Sequence, residues 1–232
     1  MIGYHKIESI YKRDPETKFK TFLDGKYSRY EFEMLKDAPW HVTEKIDGMN
    51  IRVGWDGWTV AFGGCTDRAI LPGDLVEKLH ERFTPEVLEA VFPDYLGAEQ
   101  TVTFFGEGFG AGIQKGGGNY SEKKDFILFD ILHNDTTWMA QEDVTLIAQT
   151  LNLPRAPVIG ITNLSYPIEL AQHGFQSTFG EFEAEGFIMR PKFELTDRRG
   201  RRVITKVKCK DFPKIDGRKI DMDLLEHVRA EK

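Results

Sequence analysis

The stretch Trp40–Phe62, "WHVTEKIDGMNIRVGWDGWTVAF", reads as three strands in succession. Apolar and polar residues alternate in "WHVTEKID" and "MNIRVGW", the period of two that leaves one face of a strand buried. The Asp56-Gly57 pair then signals a hairpin into "GWTVAF". Lys45, Asp47 and Gly48 therefore stand between two strands. A lysine flanked by Glu44 and Asp47 reads equally as a salt-bridged surface residue, so the choice between structure and chemistry depends on the other segments.

Further strands are expected at "QTVTFFGE", "DFILFDIL", "AEGFIMRP" and "RVITKVKCK". Helices fit "GDLVEKLHERF", "QEDVTLIAQTL" and "TPEVLEAVF", the last with Thr84 as N-cap and Pro85 at the first helical position, and a further helix is expected from Asp221. Strands and helices do not alternate regularly, which argues against a parallel doubly wound sheet. The expectation is an α+β fold with mainly antiparallel sheets, in one domain spanning residues 1–232.

With 41% hydrophobic and 29% charged residues the composition is that of a soluble globular protein, and no apolar run approaches the roughly 18 residues of a membrane span. The first residues lack the apolar core of a signal peptide, and two cysteines, Cys65 and Cys209, do not make a disulfide framework. A cytoplasmic location is expected. The net charge of -6 argues against a generic nucleic-acid coat, yet residues 198–219 carry a local balance of +8. Within that block the alternation of "RVITKVKCKDF" places Lys206, Lys208 and Lys210 on one strand face, which suits contact with phosphates.

Five segments set charge and glycine inside apolar strands: "EKIDG", "FFGEGFGAGIQKGGGNY", "FILFDI", "EGFIMRP" and "KVKCK". Burying such groups is costly unless they meet partners or ligands. Together they supply what attack on a nucleoside triphosphate needs. Lys45 would be the nucleophile, active only when deprotonated, a state that neighbouring cations or desolvation favour. Lys208 and Lys210 would provide that positive field and hold phosphate oxygens. Glu107 and Glu185 could bind ribose hydroxyls or a divalent metal, since carboxylate oxygens suit Mg2+. "GGGNY" lacks the GxxxxGK[ST] spelling of a P-loop, and the six histidines show no metal-ligand spacing.

The order and spelling of these segments resemble the covalent nucleotidyltransferase superfamily of polynucleotide ligases and mRNA capping enzymes, and within it the RNA ligase 2 family of phages and trypanosome editing ligases. "KIDG" resembles motif I, "FGEG" motif III, "FILFDI" motif IIIa, "EGFIMRP" motif IV and "VKCK" motif V. Two details resemble RNA ligases in particular: Asn50, where DNA ligases typically carry arginine, and the run "GAGIQK" ahead of "FDI".

The resemblance implies a nucleotidyltransferase (ATP-grasp-like ligase adenylylation) fold, here without an OB domain, because only 22 residues follow Lys210. It implies an ATP-dependent RNA ligase using Mg2+ or Mn2+, joining 3′-hydroxyl and 5′-phosphate ends through lysyl-AMP and AppN intermediates. Lys45 would carry the AMP, with Lys208 and Lys210 on the α-phosphate; Glu44, Asn50, Glu107, Phe129 and Glu185 would bind the nucleotide. Glu185 and Glu107 would serve the metal, and Gln114 and Lys115 would lie near the nucleic-acid ends. Where the family usually carries an arginine before the threonine, this chain has Cys65, so Arg68 or Arg52 would take the 5′-phosphate. Expected partners are RNA or RNA-containing duplex ends, with a monomeric enzyme, no membrane, and the cytoplasm of the host cell if the chain is phage-encoded. A minimal DNA ligase, an RNA-splinted DNA ligase, a capping guanylyltransferase or a non-catalytic nucleic-acid-binding module are the alternatives.

Overall fold

Period-two patterning does set the strands in the computed structural model, which describes residues 1–95 and 100–212. In chain order the elements are β1 (Glu8–Ser9), β2 (Tyr11–Arg13), β3 (Phe22–Tyr27), α1 (Tyr30–Met34), β4 (Trp40–Glu44), β5 (Met49–Trp55) and β6 (Val60–Gly63). There follow α2 (Gly73–Arg82), α3 (Pro85–Val91), β7 (Val102–Phe109), α4 (Gly117–Tyr120), β8 (Asp125–His133), β9 (Thr137–Trp138) and α5 (Gln141–Thr150). β10 (Val158–Thr162), α6 (Ser165–His173), β11 (Gly186–Pro191) and β12 (Thr205–Lys208) complete the set. The chain divides into two compact units, one of Met1–His5 with Asp47–Ala156, the other of Lys6–Ile46 with the described residues from Pro157 onward.

The first unit is built on an antiparallel sheet in the order β6-β5-β7-β8-β9. One face carries Ile51, Val53, Trp55, Phe104, Phe126 and Leu128 into a core closed by Leu75 and Leu79 of α2 and Val144 and Ala148 of α5. Alternation sends Asn50, Arg52, Phe105 and Glu107 to the opposite face. β8 carries a bulge: Phe105 pairs with Asp130 but Gly106 with Leu128, so Phe129 has no opposite number on β7. The extra residue shifts the alternation and takes both Phe129 and Asp130 off the core face.

The second unit holds a sheet in the order β1-β12-β11-β4-β10, antiparallel except for the β1–β12 pair, and a separate β2–β3 ribbon. Trp40, Val42, Phe187, Met189 and Val207 bury their side chains against Ile168, Leu170 and Ala171 of α6. Phe175 stacks on Phe187 with centroids 4.1 Å apart and planes 9° from parallel.

The fold is α+β with mainly antiparallel sheets, as the patterning predicts, and α2, α3 and α5 form where expected; Thr84 Oγ1 accepts from Val87 N at 3.3 Å as the α3 cap. Three local differences have physical causes. Asp56 Oδ1 accepts from the N–H groups of Trp58 (3.0 Å) and Thr59 (2.7 Å), which widens the hairpin loop so that β6 begins at Val60 and not at Gly57. β12 stops at Lys208 because Cys209–Asp211 winds into a 3-10 turn, so Lys210 leaves the strand face expected for it. β10 and α6 have no counterpart in the sequence reading, since Gly160 interrupts the alternation of one and Pro167 lies in the first turn of the other. The helix expected from Asp221 lies outside the described residues. No helix among the described residues is long and apolar enough to cross a membrane.

Because Phe187 is fully buried and stacked, Phe187→Ala is expected to destabilise the protein by about 3–5 kcal/mol, read as a lower denaturant midpoint at unchanged slope.

Candidate active site

The register of β4, β11 and β12 decides which lysines meet. Thr43, Ile188 and Lys206 are aligned across the sheet, and two residues along Gly186 pairs with Lys208. Lys45, just past the end of β4, donates its backbone N–H to Gly186 O at 2.9 Å. Lys45 and Lys208 therefore flank Gly186 on the face opposite the Phe187 core. The carboxylate of Glu185 bridges them, Oε2 to Lys45 Nζ at 2.6 Å and Oε1 to Lys208 Nζ at 2.5 Å. Glu185 is held in place by its own backbone, whose carbonyl accepts from Cys209 N at 3.0 Å.

Gly186 is required there. A Cβ would fall 2.0 Å from Val207 O, and its φ of +149° is one that L side chains rarely adopt. The residue between the two lysines can have no side chain, which leaves the space to the ion-paired groups.

Burial pushes the Glu185 carboxyl up, but the charges and hydrogen bonds of Lys45 and Lys208 outweigh it and hold it below its ordinary value. Half-buried Lys206 is pushed the other way: desolvation, then the charges of Lys208 and Lys45, lower its amine, with Glu185 and Asp211 opposing only in part. Sequence reasoning counted Lys206 as one of three lysines on a strand face without giving it a place in the site. The third member of that face, Lys210, is exposed on the 3-10 turn.

Glu44 faces away from this cluster, since it precedes Lys45 in the strand and pairs with Phe187. Its buried carboxylate accepts from Ser177 Oγ (2.6 Å), Thr178 N (2.9 Å) and Thr178 Oγ1 (2.6 Å). Nothing in the spelling of "QSTFG" announces these two partners; they are found by the fold.

In the first unit, Asn50 and Glu107 stand directly opposite each other on β5 and β7. Asn50 Oδ1 is buried and meets no hydrogen-bond donor among the described residues. Phe129, half-buried on the bulge, is touched edge-on by Tyr4 at 5.0 Å between centroids, and Tyr4 donates its hydroxyl to Asp130 Oδ2 at 2.8 Å. Gln114 Nε2 donates to Gly48 O at 2.9 Å, and Asp47 N–H to Tyr120 Oη at 3.3 Å, so the glycine-rich run grips the start of β5. Lys115 and Arg68 are exposed.

Arg52 is buried and committed. It donates to Gly64 O (2.7 Å), Met1 O (3.1 Å), Ile2 O (3.3 Å) and Asp67 Oδ1 (2.8 Å), tying the amino terminus to the loop that follows β6. Of the two arginines considered for a 5′-phosphate, Arg68 is the accessible one.

Among the described residues no three His, Cys, Asp or Glu side chains gather into a metal cage. A lone carboxylate among cations, such as Glu185, fits Mg2+, which is commonly bound by one or two carboxylates together with substrate phosphates and water.

The model of the RNA ligase family matches residues 38–208, and the chain belongs to that family. A comparison with curated proteins returned no match. Among solved structures the chain is similar to a Naegleria gruberi RNA ligase variant with ATP and Mn, at 17% identity and a TM-score of 0.65, over 89% of this chain and 56% of that one. The same ligase with PPi gives 16% identity and a TM-score of 0.63 over 89% and 56%. An apo variant of it gives 16% and 0.65 over 99% of this chain and 58% of that one. The likeness is one of fold, and the chain spans little more than half the length of the proteins it matches.

A carboxyl whose folded value is depressed stabilises the fold above its ordinary titration range and loses that contribution as pH falls through the folded value. Wild-type thermal stability should therefore decline on acidification below the ordinary carboxyl value of 4.5, and Glu185→Gln should be less stable near neutrality with a flatter dependence on pH there, read as melting temperature against pH.

Proposed function

We propose that this chain is the nucleotidyl-transferring part of an ATP-dependent RNA ligase and that Lys45 is its nucleophile. The observation that carries the reading is the Glu185 carboxylate bridging Lys45 and Lys208 on one face of the sheet, in a chain of the RNA ligase family. The Lys45 amine attacks the α-phosphorus of ATP; the bond to the β-phosphate oxygen breaks, pyrophosphate leaves and the amine loses its proton, giving lysyl-AMP. Lys208, already beside Lys45, meets the negative charge that develops on the α-phosphate, with Lys210 closing on it from the turn. In the second step a 5′-phosphate oxygen displaces Lys45 to form AppN, and in the third a 3′-hydroxyl displaces AMP to form the phosphodiester. Each displacement is governed mainly by alignment and charge stabilisation.

Glu185 and Glu107 are each assigned to serve a divalent cation, Mg2+ or Mn2+, which when bound would neutralise phosphate charge. Asn50 and Glu107 are assigned to ribose hydroxyls: a hydroxyl donates to the orphan Asn50 Oδ1, and a carboxylate accepts from its neighbour. Phe129 offers a ring for stacking on adenine, supported by Tyr4 behind it. Arg68, Gln114 and Lys115 are assigned to the nucleic-acid ends. Glu44 contributes by anchoring Ser177 and Thr178, and Arg52 by holding the loop that carries Arg68. The substrate is read as RNA or RNA-containing duplex ends, sealed by a monomer in the cytoplasm.

The test is incubation with α-labelled ATP or GTP and Mg2+, followed by denaturing electrophoresis and acid. A band labelled by ATP, lost in acid as a phosphoramidate should be and absent from Lys45→Ala, is the expected result. Lys45→Ala should retain sealing of pre-adenylylated ends, because the third step does not need the lysine nucleophile. Labelling by GTP alone would move the chemistry to capping, and a folded wild-type protein that takes no label and carries no AMP releasable by pyrophosphate would end the proposal.

A further inference from the structure

Residues 192–202 of the second unit form a hairpin whose exposed side chains the fold does not account for. Leu195 O accepts from Val203 N at 2.8 Å, Asp197 N donates to Arg201 O at 2.8 Å, and Gly200 N to Asp197 O at 2.9 Å. The turn is specified by Asp197 and Gly200. Asp197 Oδ1 accepts from the N–H groups of Arg199 (2.8 Å) and Arg201 (2.9 Å), and Gly200 takes φ +74°, which glycine adopts without strain. Arg198 and Arg199, between them, are exposed, and such central turn positions accept most residue types. Phe193 is 71% exposed and Leu195 40%, and Lys192 lies over the Phe193 ring at 5.7 Å.

The acids around the hairpin are already used. Glu194 pairs with Arg202 at 2.6 Å, Glu31 with Arg29 at 3.2 Å, and Asp197 with Arg29 (3.2 Å) and Arg201 (2.8 Å). Glu8 lies 3.5 Å from Arg201. Against the pull of burial, the backbone N–H groups of Arg201 and Arg199 and the Arg201 guanidinium bring the Asp197 carboxyl down to about 2, so it stays ionised and committed. Lys192, Arg198 and Arg199 have no carboxylate partner among the described residues. What the hairpin presents is a hydrogen-bonded turn with Arg198 and Arg199 uncompensated at its tip, and an uncompensated Lys192 over the exposed Phe193 ring at its base.

We propose that this hairpin is a contact surface for a polynucleotide strand, with phosphates on Arg198 and Arg199 and a base stacked on Phe193. The chemistry is that of single-strand binding, in which cations track the backbone while an aromatic ring takes a base face without reading its sequence. The surface lies outside the Lys45 cluster and rests on the proposed ligase reading only in the identity of its polyanion.

The test uses the full chain and a fluorescent, 5′-phosphorylated RNA, with anisotropy read across a salt series. Arg198→Glu/Arg199→Glu should raise Kd at least ten-fold at low salt and reduce the slope of log Kd against log salt by about 1.4, the value for two lost phosphate contacts on a single strand. Phe193→Ala should weaken binding about five-fold or more at little change in slope. Lysyl-AMP formation from ATP alone should stay at the wild-type level in the Arg198→Glu/Arg199→Glu and Phe193→Ala variants. Reversing Lys26 and Lys36, exposed elsewhere in the same unit, should leave Kd within about two-fold of wild type. Wild-type Kd and slope in the hairpin variants, or an equal loss in the Lys26→Glu/Lys36→Glu control, would overturn the surface. Failure of the wild-type protein to form lysyl-AMP would instead strike the ligase reading, and the binding series would still decide the hairpin.

Discussion

One carboxylate between two ammonium groups organises the charged face of the second unit's sheet. Lys45, just past the end of β4, and Lys208 of β12 lie on either side of β11, and like charges this close repel unless something of opposite sign divides them. Glu185 does so by placing one oxygen on each amine. The arrangement in turn needs a residue with no side chain at Gly186, because any Cβ there would collide with the β12 backbone. A single negative group, and the glycine after it, thus fix how two cations can be presented on one sheet face.

The alternation of the strands then separates chemistry from support. Lys45 and Glu44 are neighbours in sequence, yet one faces the basic cluster while the other is buried beneath the sheet and holds Ser177 and Thr178. In the first unit Ile51 and Val53 enter the core while Asn50 and Arg52 leave it, and Arg52 is spent on backbone carbonyls of the amino terminus. Buried charges of this kind persist because each is paired or hydrogen-bonded, which is also why they act as fixed supports and not as mobile contacts.

The same rule gives the 192–202 hairpin its meaning. Arg29, Arg201 and Arg202 neutralise the local acids, and the turn stays in shape through Asp197. The remaining cations are not required by that structure, which separates residues that build the hairpin from residues it displays.

By itself the sequence determined the class of fold, the three helices with clear amphipathic or capping signals, and which lysines and carboxylate to look for together. Lys45, Glu185 and Lys208 were legible because strand periodicity is local and their motifs have fixed spelling. Other features were decided only in three dimensions. The bulge that turns both Phe129 and Asp130 off the core depends on strand register, while the turn that takes Lys210 from the face of Lys206 and Lys208 and the partners of Glu44 and Arg52 depend on how turns and loops pack. Register joins residues more than a hundred positions apart, such as Lys45 with Glu185 and Tyr4 with Asp130, and pairing across such distances is settled by packing and hydrogen bonding of whole strands. The identity of a charged residue was therefore readable in one dimension, but whether its charge was free or already spent was a property of the tertiary structure.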